Sequence, residues 1–247
     1  MTTTLITGAS AGIGAELARL FAKRGDDLIL VARRADRLEA LAAELGPRAR
    51  FIVADLADPA APGTLFAETG PVDVLVNNAG FGAAGRVAEI TLERQLGMVQ
   101  VNIAALTALT RLYLPAMIER KRGRILNVAS TAAFQPGPGL TVYCATKAYV
   151  LSFSEALHAE LTGTGVTVTC LCPGATTTEF AEVANFKNPA LFRGAMSAAE
   201  VARQGYAAML AGKRLAVTGI ENKARAVSVR FAPRGMVLAI ARKLLLG

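Results

Sequence analysis

The first thirty residues contain the pattern that most constrains the fold. A strand pattern of β-branched and apolar residues at 2–7 leads directly into Thr7-Gly-Ala-Ser-Ala-Gly-Ile-Gly14, and a helical pattern follows to about Arg24. In a strand, glycine-rich turn and helix of this order, backbone N–H groups and a helix N-terminus can bind a phosphate. A second apolar run at residues 27–32 closes a strand–helix–strand unit of about thirty residues. The N-terminal part therefore predicts a parallel sheet with a phosphate-binding turn.

Strand and helix patterns alternate through the rest of the chain, without a linker or an internal repeat. We expect one α/β domain over residues 1–247, with a core of residues 1–218 and an extension of residues 219–247. The remaining predicted strands are 50–54, 72–76, 124–129, 166–172 and 214–218, and the longer predicted helices are 35–45, 92–120, 141–161 and 198–210.

The sequence shows no targeting or membrane-spanning pattern. It enters a strand at once, which leaves no room for a signal peptide, and no uninterrupted apolar run reaches the roughly 18 residues of a membrane span. Cys144, Cys170 and Cys172 lack the spacing of metal ligands and are expected to be buried thiols. We therefore expect a soluble, cytoplasmic protein without a metal site.

Positive charge is concentrated at the C-terminal end. Residues 213–247 hold eight basic residues and one acid, Glu221, and so account for +7 of the chain's net charge of +8. Apolar residues such as Phe231 and Met236 are interspersed among them. We favour extra helices over a ligand pocket, or a subunit contact; the other interpretation is an amphipathic segment on an anionic membrane. Nucleic-acid binding is not expected, because the body has almost no net charge and no evident aromatic stacking surface.

The stretch from Ser130 to Lys147 groups side chains suited to proton transfer. Ser130 follows the predicted strand 124–129, and prolines and glycines at 136–139 mark a loop. Tyr143 and Lys147 then share one helical face, because they are four residues apart. The same spacing is also typical of an ordinary solvated helix, so this pattern alone does not identify a site.

Tyrosine needs help to act as a base, because its ordinary pKa is about 10. Lys147 is expected to lower the pKa of Tyr143, but at this spacing it falls short of a shift of about three units. A second cation, such as an oxidised nicotinamide ring, would supply the rest. Ser130 would hydrogen-bond the substrate oxygen within reach of the phenol.

The end of the second strand indicates which nucleotide is bound. An acid at this point binds the ribose 2′-hydroxyl of NAD, whereas an arginine accommodates the 2′-phosphate of NADP. This chain has Arg33 and Arg34 there, which favours NADP. Asp55, after the third strand, could accept a hydrogen bond from an adenine amino group; equally, Asp55 or Asp58 could cap the next helix.

The order and spacing of these motifs resemble the short-chain dehydrogenase/reductase family, in particular its shorter single-domain branch. The resemblance extends over about residues 1–218. The motifs that carry it are Thr7-Gly8-x-x-x-Gly12-x-Gly14, Asn77-Asn-Ala-Gly80, Asn102, Ser130, Tyr143-x-x-x-Lys147, and Pro173-Gly174 with Thr178. Together they favour Tyr143 and Lys147 as a catalytic pair over the interpretation of an ordinary solvated helix face.

The resemblance implies a fold and a set of catalytic roles. The fold is a Rossmann-like, doubly wound sheet of seven parallel strands in the order 3-2-1-4-5-6-7, with helices on both faces. Tyr143 would be the general acid in reduction and the base in oxidation, and Lys147 would lower its pKa and bind the nicotinamide ribose. Ser130 would position the carbonyl, and Asn102 would hold a water in the proton relay.

NADP(H) is the cofactor that the resemblance and the arginines together imply. Arg33 would bind the 2′-phosphate, and Asp55 and Leu56 would border the adenine. Ala11 departs from some NADP-preferring relatives, which carry a basic residue before the second glycine. The other implied cofactor residues are Gly8, Ser10, Gly12, Ile13 and Gly14 in the turn, Asn78, Ala79 and Gly80 beside the ribose, Tyr143 and Lys147, and Pro173, Gly174, Thr176 and Thr178 at the nicotinamide end.

The leading hypothesis is an NADP(H)-dependent oxidoreductase that acts on an apolar ketone, aldehyde or secondary alcohol. No charged anchor is evident on the substrate loops, and residues 179–196 predict an apolar lid. The alternatives are a catalytically idle NADP-binding or sensing module, and a membrane-recruited enzyme for lipid-derived substrates. By resemblance, a homodimer or homotetramer would form through helices 92–120 and 142–161. The residues predicted to border the substrate are Phe81, Phe134, Leu140, Phe180 and Phe192.

Overall fold

The apolar runs of the sequence pair side by side as one parallel sheet. The computed structural model describes residues 1–185 and 194–246. Seven strands lie in the order β3-β2-β1-β4-β5-β6-β7, which confirms the predicted topology. They are β1 (Thr3–Thr7), β2 (Asp27–Ala32), β3 (Ala49–Val53), β4 (Val74–Asn77), β5 (Gly123–Val128), β6 (Val166–Cys172) and β7 (Leu215–Val217).

The register of the sheet brings the predicted site segments to one edge. Ile6 of β1 pairs with Leu30 on one side and with Val76 on the other, so these three strands end at nearly the same level. The chain order reverses between β1 and β4, which is where an open parallel sheet leaves a crevice for a ligand. The segments that follow these strands therefore converge on one cleft.

Helices cover both faces of the sheet, as a doubly wound fold requires. Leu17, Phe21 and Met209 belong to a core on one face, while Leu65 and Leu109 belong to a core on the other. The helices are α1 (Gly12–Arg24), α2 (Ala35–Leu45), α3 (Ala61–Thr69), α4 (Leu92–Val99), α5 (Leu106–Glu119), α6 (Thr141–Glu160), α7 (Phe180–Val183), α8 (Ala198–Leu210), α9 (Ile220–Ser228) and α10 (Arg234–Leu246).

The long helix predicted at residues 92–120 is interrupted by a wider turn. A π-helical segment, Gln100–Ala105, joins α4 to α5 and contains Asn102. An extra residue in a helical turn leaves the hydropathy pattern almost unchanged, so the sequence did not reveal it. Residues 92–119 are long and apolar enough to span a membrane by length and composition alone. The most apolar window of this segment is 39% buried, and Leu109 and Tyr113 of α5 belong to the core.

Two other predictions are changed or fall outside the description. β3 begins at Ala49, one residue earlier than predicted, and it is an edge strand whose partly exposed side chains give a weak alternation. α7 lies within the predicted lid, and a two-residue ladder between Thr176–Thr177 and Met196–Ser197 joins the segments at its two ends. Phe186, Pro189, Leu191 and Phe192, also predicted for the lid, lie outside the described residues.

Candidate active site

A cleft of about 920 Å³ runs along the carboxyl edge of the sheet. It collects the predicted site residues, apart from Gly14 and Asn102, from seven separate stretches of the chain. Those that line it are Gly8, Ser10, Gly12, Ile13, Arg33, Asp55, Leu56, Asn78, Ala79, Gly80, Ser130, Tyr143, Lys147, Pro173, Gly174, Thr176 and Thr178.

The glycine-rich turn owes its shape to missing side chains. Gly8 and Gly12 have φ angles of +66° and +57°, in the left-handed region that glycine tolerates best. A β-carbon at Gly14 would lie 2.3 Å from the Gly8 carbonyl oxygen and 2.5 Å from Asn78 Nδ2. Gly14 therefore lies beneath the turn and lets α1 approach it closely, which is why it does not line the cleft.

Asn78 fixes the turn from the neighbouring strand. Its Nδ2 donates to the carbonyl oxygens of Thr7 and Gly8, at 3.0 and 3.1 Å. The Thr7 hydroxyl in turn accepts from the backbone N–H groups of Asn78 and Ala79, both at 3.0 Å. The backbone that would surround a phosphate is thus held rigid by side chains of the two strands at the crevice.

An arginine cluster lies where β2 ends. Arg34 donates to Ser10 Oγ at 3.1 Å and to Glu179 Oε2 at 2.7 Å, and Arg37 donates to the other oxygen of the same carboxylate. These guanidinium groups hold the pKa of Glu179 below its usual value, with Arg37 the larger cause. Arg33, the residue predicted to bind the 2′-phosphate, is 70% exposed and lies 4.0 Å from Asp55.

Sequence reasoning had not assigned a role to Arg37 or Glu179. Arg37 could have been found, because it is one helical turn after the two arginines of the predicted site. Glu179 could not, since it reaches the cluster from beyond β6. Of the two alternatives for Asp55, the adenine contact stays a prediction; in the protein alone its Oδ1 accepts from Ala57 N–H at 3.0 Å in a local turn. Neither Asp55 nor Asp58 caps α3, which is preceded by Ala60.

Ser130 and Tyr143 meet at the centre of the cleft. Ser130 follows β5 and caps the 3-10 turn Thr131–Phe134, where its Oγ accepts from Ala132 N–H at 3.1 Å. Tyr143 lies in the first turn of α6, close enough to the Ser130 side chain for that hydroxyl to lower its pKa. Its ring is buried and packs 5.2 Å from the ring of Phe180, centroid to centroid. The helix face that carries Tyr143 and Lys147 is therefore buried, not solvated.

Burial raises the pKa of Tyr143 above its ordinary value, and the nearby Ser130 hydroxyl only partly offsets that effect. The lowered pKa expected when Lys147 and an oxidised nicotinamide lie beside the phenol stays a prediction. Lys147 Nζ lies 5.8 Å from the centre of the Tyr143 ring and donates to the Val128 carbonyl oxygen at 2.8 Å. Burial also lowers the pKa of Lys147 to about 8. In the protein alone, Tyr143 is therefore a protonated phenol at neutral pH.

Asn102 supports the site from behind. Its Oδ1 accepts from Phe81 N–H at 3.1 Å, while its Nδ2 donates to the Phe81 carbonyl oxygen and to Thr146 Oγ1, both at 3.0 Å. These bonds pair both polar atoms of the Asn102 side chain, and they hold the Phe81 loop against α6. A β-carbon at Gly80 would lie 2.9 Å from Asn102 Oδ1. The side chain of Asn102 does not line the cleft. The water that it is predicted to hold stays a prediction.

The substrate end of the cleft differs from the sequence prediction in two ways. Phe81, Leu140 and Phe180 line it, but Phe134 does not, because it packs into the cluster around Ala129 instead. Charged side chains are also present, contrary to expectation, since Glu93 and Arg94 of α4 reach the wall.

Arg94 is already occupied within the protein. It donates to the carbonyl oxygens of Gly82, at 3.3 Å, and Val183, and its guanidinium lies 5.4 Å from the centre of the Phe81 ring. These contacts tie α7 to the loop after β4. Arg94 thus helps to close the substrate end of the cleft and also adds a positive charge to its wall.

Comparisons with known proteins agree with this geometry. The family model for short chain dehydrogenase matches residues 2–188. Serine 3-dehydrogenase of Agrobacterium fabrum is 42% identical over 183 residues, which is 72% of this chain and 73% of the relative. An NADP-dependent 3-hydroxy acid dehydrogenase of Salmonella typhi is 42% identical over 185 residues, 72% of this chain and 75% of the relative.

A solved structure extends the likeness to nearly the whole chain. The short-chain dehydrogenase from Sphingobium yanoikuyae in complex with NADPH has a TM-score of 0.85 and 33% identity, covering 96% of this chain and 94% of that one. The chain therefore belongs to the short-chain dehydrogenase/reductase family of oxidoreductases, which act on alcohol and carbonyl groups.

Proposed function

We propose that this protein is an NADP(H)-dependent oxidoreductase that transfers a hydride between nicotinamide and the carbonyl or secondary alcohol of an apolar small molecule. One observation carries the proposal: the Ser130–Tyr143 pair, with Lys147 beside it, shares a continuous cleft with the glycine-rich turn and the arginine cluster. Relatives described as NADP-dependent, and a similar structure with bound NADPH, support the choice of cofactor.

The residues present fit such a cofactor. Gly8 and Gly12 shape a backbone cradle, and Gly14 beneath it lets α1 approach closely, as a pyrophosphate site requires. Arg34 and Ser10 lie together at the end of β2, with Arg33 exposed beside them, where a 2′-phosphate would be held. When bound, NADP(H) supplies or accepts the hydride.

The protein's own groups prepare the proton transfer. In reduction, Ser130 orients the substrate oxygen and the Tyr143 phenol donates its proton to it. The raised pKa of Tyr143 keeps that proton in place at neutral pH. Below a pH of about 8, Lys147 is charged and places a cation beneath the site. In oxidation the same group must start as the phenolate, the form that burial disfavours.

The substrate end favours an apolar molecule. Around Tyr143 the wall is formed by Phe81, Leu140, Phe180 and Leu245, which offer mostly hydrocarbon surface. A 3-hydroxy acid is the second candidate, because Arg94 reaches the wall and relatives act on such acids. We favour the apolar class because the Arg94 guanidinium already binds two main-chain carbonyls.

Two further expectations remain part of the proposal. A homodimer or homotetramer would form through α4, α5 and α6, which leave Leu92, Leu96 and Tyr149 exposed. We place the protein in the cytoplasm. An idle NADP-binding module is the weaker alternative, because Ser130, Tyr143 and Lys147 are all present and assembled.

A substrate panel tests the proposal. Purified protein is mixed with NADPH and either bulky neutral ketones or 3-keto acids, and NADPH consumption is followed by absorbance. We expect turnover with the neutral ketones and little with the acids. The reverse preference would replace the apolar class with the acid class. Tight NADPH binding with no consumption across both sets would favour the idle module.

A further inference from the structure

The two C-terminal helices expose an unusual amount of apolar surface. Ile220 in α9 and Phe231 in the connection to α10 are 85% and 83% exposed. On α10, Val237, Ala241 and Leu245 form the row that faces the body. The adjacent row, Met236, Ile240 and Leu244, is exposed and entirely apolar.

α9 repeats this arrangement on a shorter length. Ala226 is its buried residue, while Ile220, Ala224 and Val227 form an exposed apolar row at helical spacing. Both helices are therefore attached to the body by one row and present another to the outside. Side chains of this size are seldom clustered on a surface without something to cover them.

The same segment carries cations that have no partner in the described structure. Arg225 pairs with Glu221 at 3.6 Å. The other five form no ion pair with any residue of 1–185 or 194–246; they are Lys223, Arg230, Arg234, Arg242 and Lys243. Whatever covers the apolar rows must therefore also accept a concentrated positive charge.

The positive charge distinguishes between the partners that could cover the exposed apolar rows of α9 and α10. A second copy, placed helix against helix, would bring two sets of unpaired cations together at a cost in electrostatic repulsion. A nucleic acid would match the charge but leave the apolar rows in water. An anionic bilayer satisfies both, since apolar side chains enter the interface while lysine and arginine meet lipid phosphates. We infer that α9 and α10 dock the protein on an anionic membrane surface.

The docking helices also form part of the cleft. Leu245 lines the cleft, and β-carbons at Gly137 and Gly139 would lie 3.5 Å from Leu245 Cδ1 and 2.8 Å from Leu246 Cδ2. At the start of α9, Asn222 packs so closely on Gly174 that a β-carbon there would lie 2.2 Å from its Nδ2. Docking therefore brings the substrate end beside the bilayer. Given the proposed function, it favours apolar carbonyl compounds that dissolve in lipid.

Point variants test the docking better than truncation, because deleting the tail would remove a wall of the cleft. The full chain is mixed with vesicles of phosphatidylcholine alone, or with about one third phosphatidylglycerol, and the bound fraction is measured by flotation. Ile240→Ser/Leu244→Ser removes exposed apolar groups, and Arg242→Gln/Lys243→Gln removes two charges. Lys23→Gln/Lys121→Gln is the matched control, since it removes the same charge from exposed sites on the body.

We expect binding to the anionic vesicles only, and its loss at about 1 M salt, where the Debye length is about 3 Å. Each tail variant should weaken it about tenfold or more, while the control binds normally. All variants should retain NADPH affinity and ketone reduction in solution, which separates this result from the proposed function. Failure to bind anionic vesicles, equal loss in the control, or a dimer that Ile240→Ser/Leu244→Ser dissociates without any vesicle binding would overturn the inference.

Discussion

The nucleotide end and the substrate end of the cleft differ in whether backbone or side chains form the wall. At the nucleotide end the wall is backbone, shaped by glycines within seven residues of each other and fixed by Asn78. At the substrate end the wall is side chains, contributed by Phe81, Arg94, Phe180 and Leu245 from distant parts of the chain. The backbone wall can be recognised from a short sequence motif. The side-chain wall forms only when distant parts of the folded chain come together.

The same contrast separates binding from chemistry. The nucleotide end can hold its ligand without Tyr143, and the substrate end can be altered without touching the glycine-rich turn. Variants placed at each end should therefore affect different steps, and those with mixed effects would show that the two ends are coupled.

The largest effect is expected from Tyr143→Phe, which removes the proton donor at the junction of the two ends. Loss of general acid catalysis should lower kcat about 10²–10⁴-fold in steady-state NADPH oxidation, with NADPH affinity nearly unchanged. Tyr149→Phe is the matched control on the same helix, where the hydroxyl bonds Thr107 Oγ1 at 2.9 Å on the surface. Equal loss in both variants would refute the role of Tyr143.

Gly14→Ala should damage the nucleotide end alone. The new methyl group would overlap Gly8 and Asn78, so we expect unfolding free energy to fall by about 1–3 kcal/mol, together with a clear loss of NADPH affinity. Gly63→Ala in α3 meets nothing within 4 Å and should instead stabilise by about 0.5–1 kcal/mol. Denaturant unfolding and nucleotide titration check both. Normal NADPH binding by Gly14→Ala would contradict the proposed cradle.

Reduction should weaken on the alkaline side of neutrality. Burial lowers the pKa of Lys147 to about 8, so its charge is present below that pH and lost above it. The raised pKa of Tyr143 keeps the phenol protonated throughout this range. We expect kcat/KM for ketone reduction to fall about tenfold per pH unit above a midpoint near 8. A profile that stays level to about pH 10 would show that the Lys147 charge is not required.

The smallest effect concerns Glu179, which belongs to the substrate side but pairs with the arginines of the nucleotide side. Its carboxylate occupies Arg34 and Arg37, which a 2′-phosphate would also attract. Glu179→Gln should therefore tighten NADPH binding about three- to fivefold and leave NADH binding unchanged. Glu182→Gln, an exposed acid on α7, is the control. Weaker NADPH binding in Glu179→Gln would mean that the carboxylate positions the arginines instead.

Much of the molecule could be predicted from its sequence because the responsible signals are local. The glycine-rich turn and the placing of Ser130 before Tyr143 follow from motifs that occupy fewer than twenty residues each, and the order of the strands followed from the family resemblance that those motifs carry. The π-helical turn at Asn102 was missed because the stretch around it is mostly apolar. Glu179 and Arg94 were missed because their positions depend on how distant elements pack.

The pKa values of Tyr143 and Lys147 could be predicted only in part, because they depend on burial in the folded protein. Sequence spacing places Lys147 one helical turn from Tyr143, but it says nothing of how deeply either group is buried. In the folded protein, burial dominates both pKa values. The structure therefore brings the predicted residues together, while in the protein alone burial raises the pKa of Tyr143, which the spacing could not reveal.

Equilibrium binding of NADPH and NADH is the most direct test of the central claim. NADPH should bind at least about tenfold more tightly, a difference of about 1.4 kcal/mol, because Arg33 and Arg34 meet the 2′-phosphate. Arg34→Ser should reduce the difference more than Arg33→Ser, since Arg34 is held against Ser10 and Arg33 is largely exposed. Equal affinity for the two nucleotides, or binding of neither, would contradict the account.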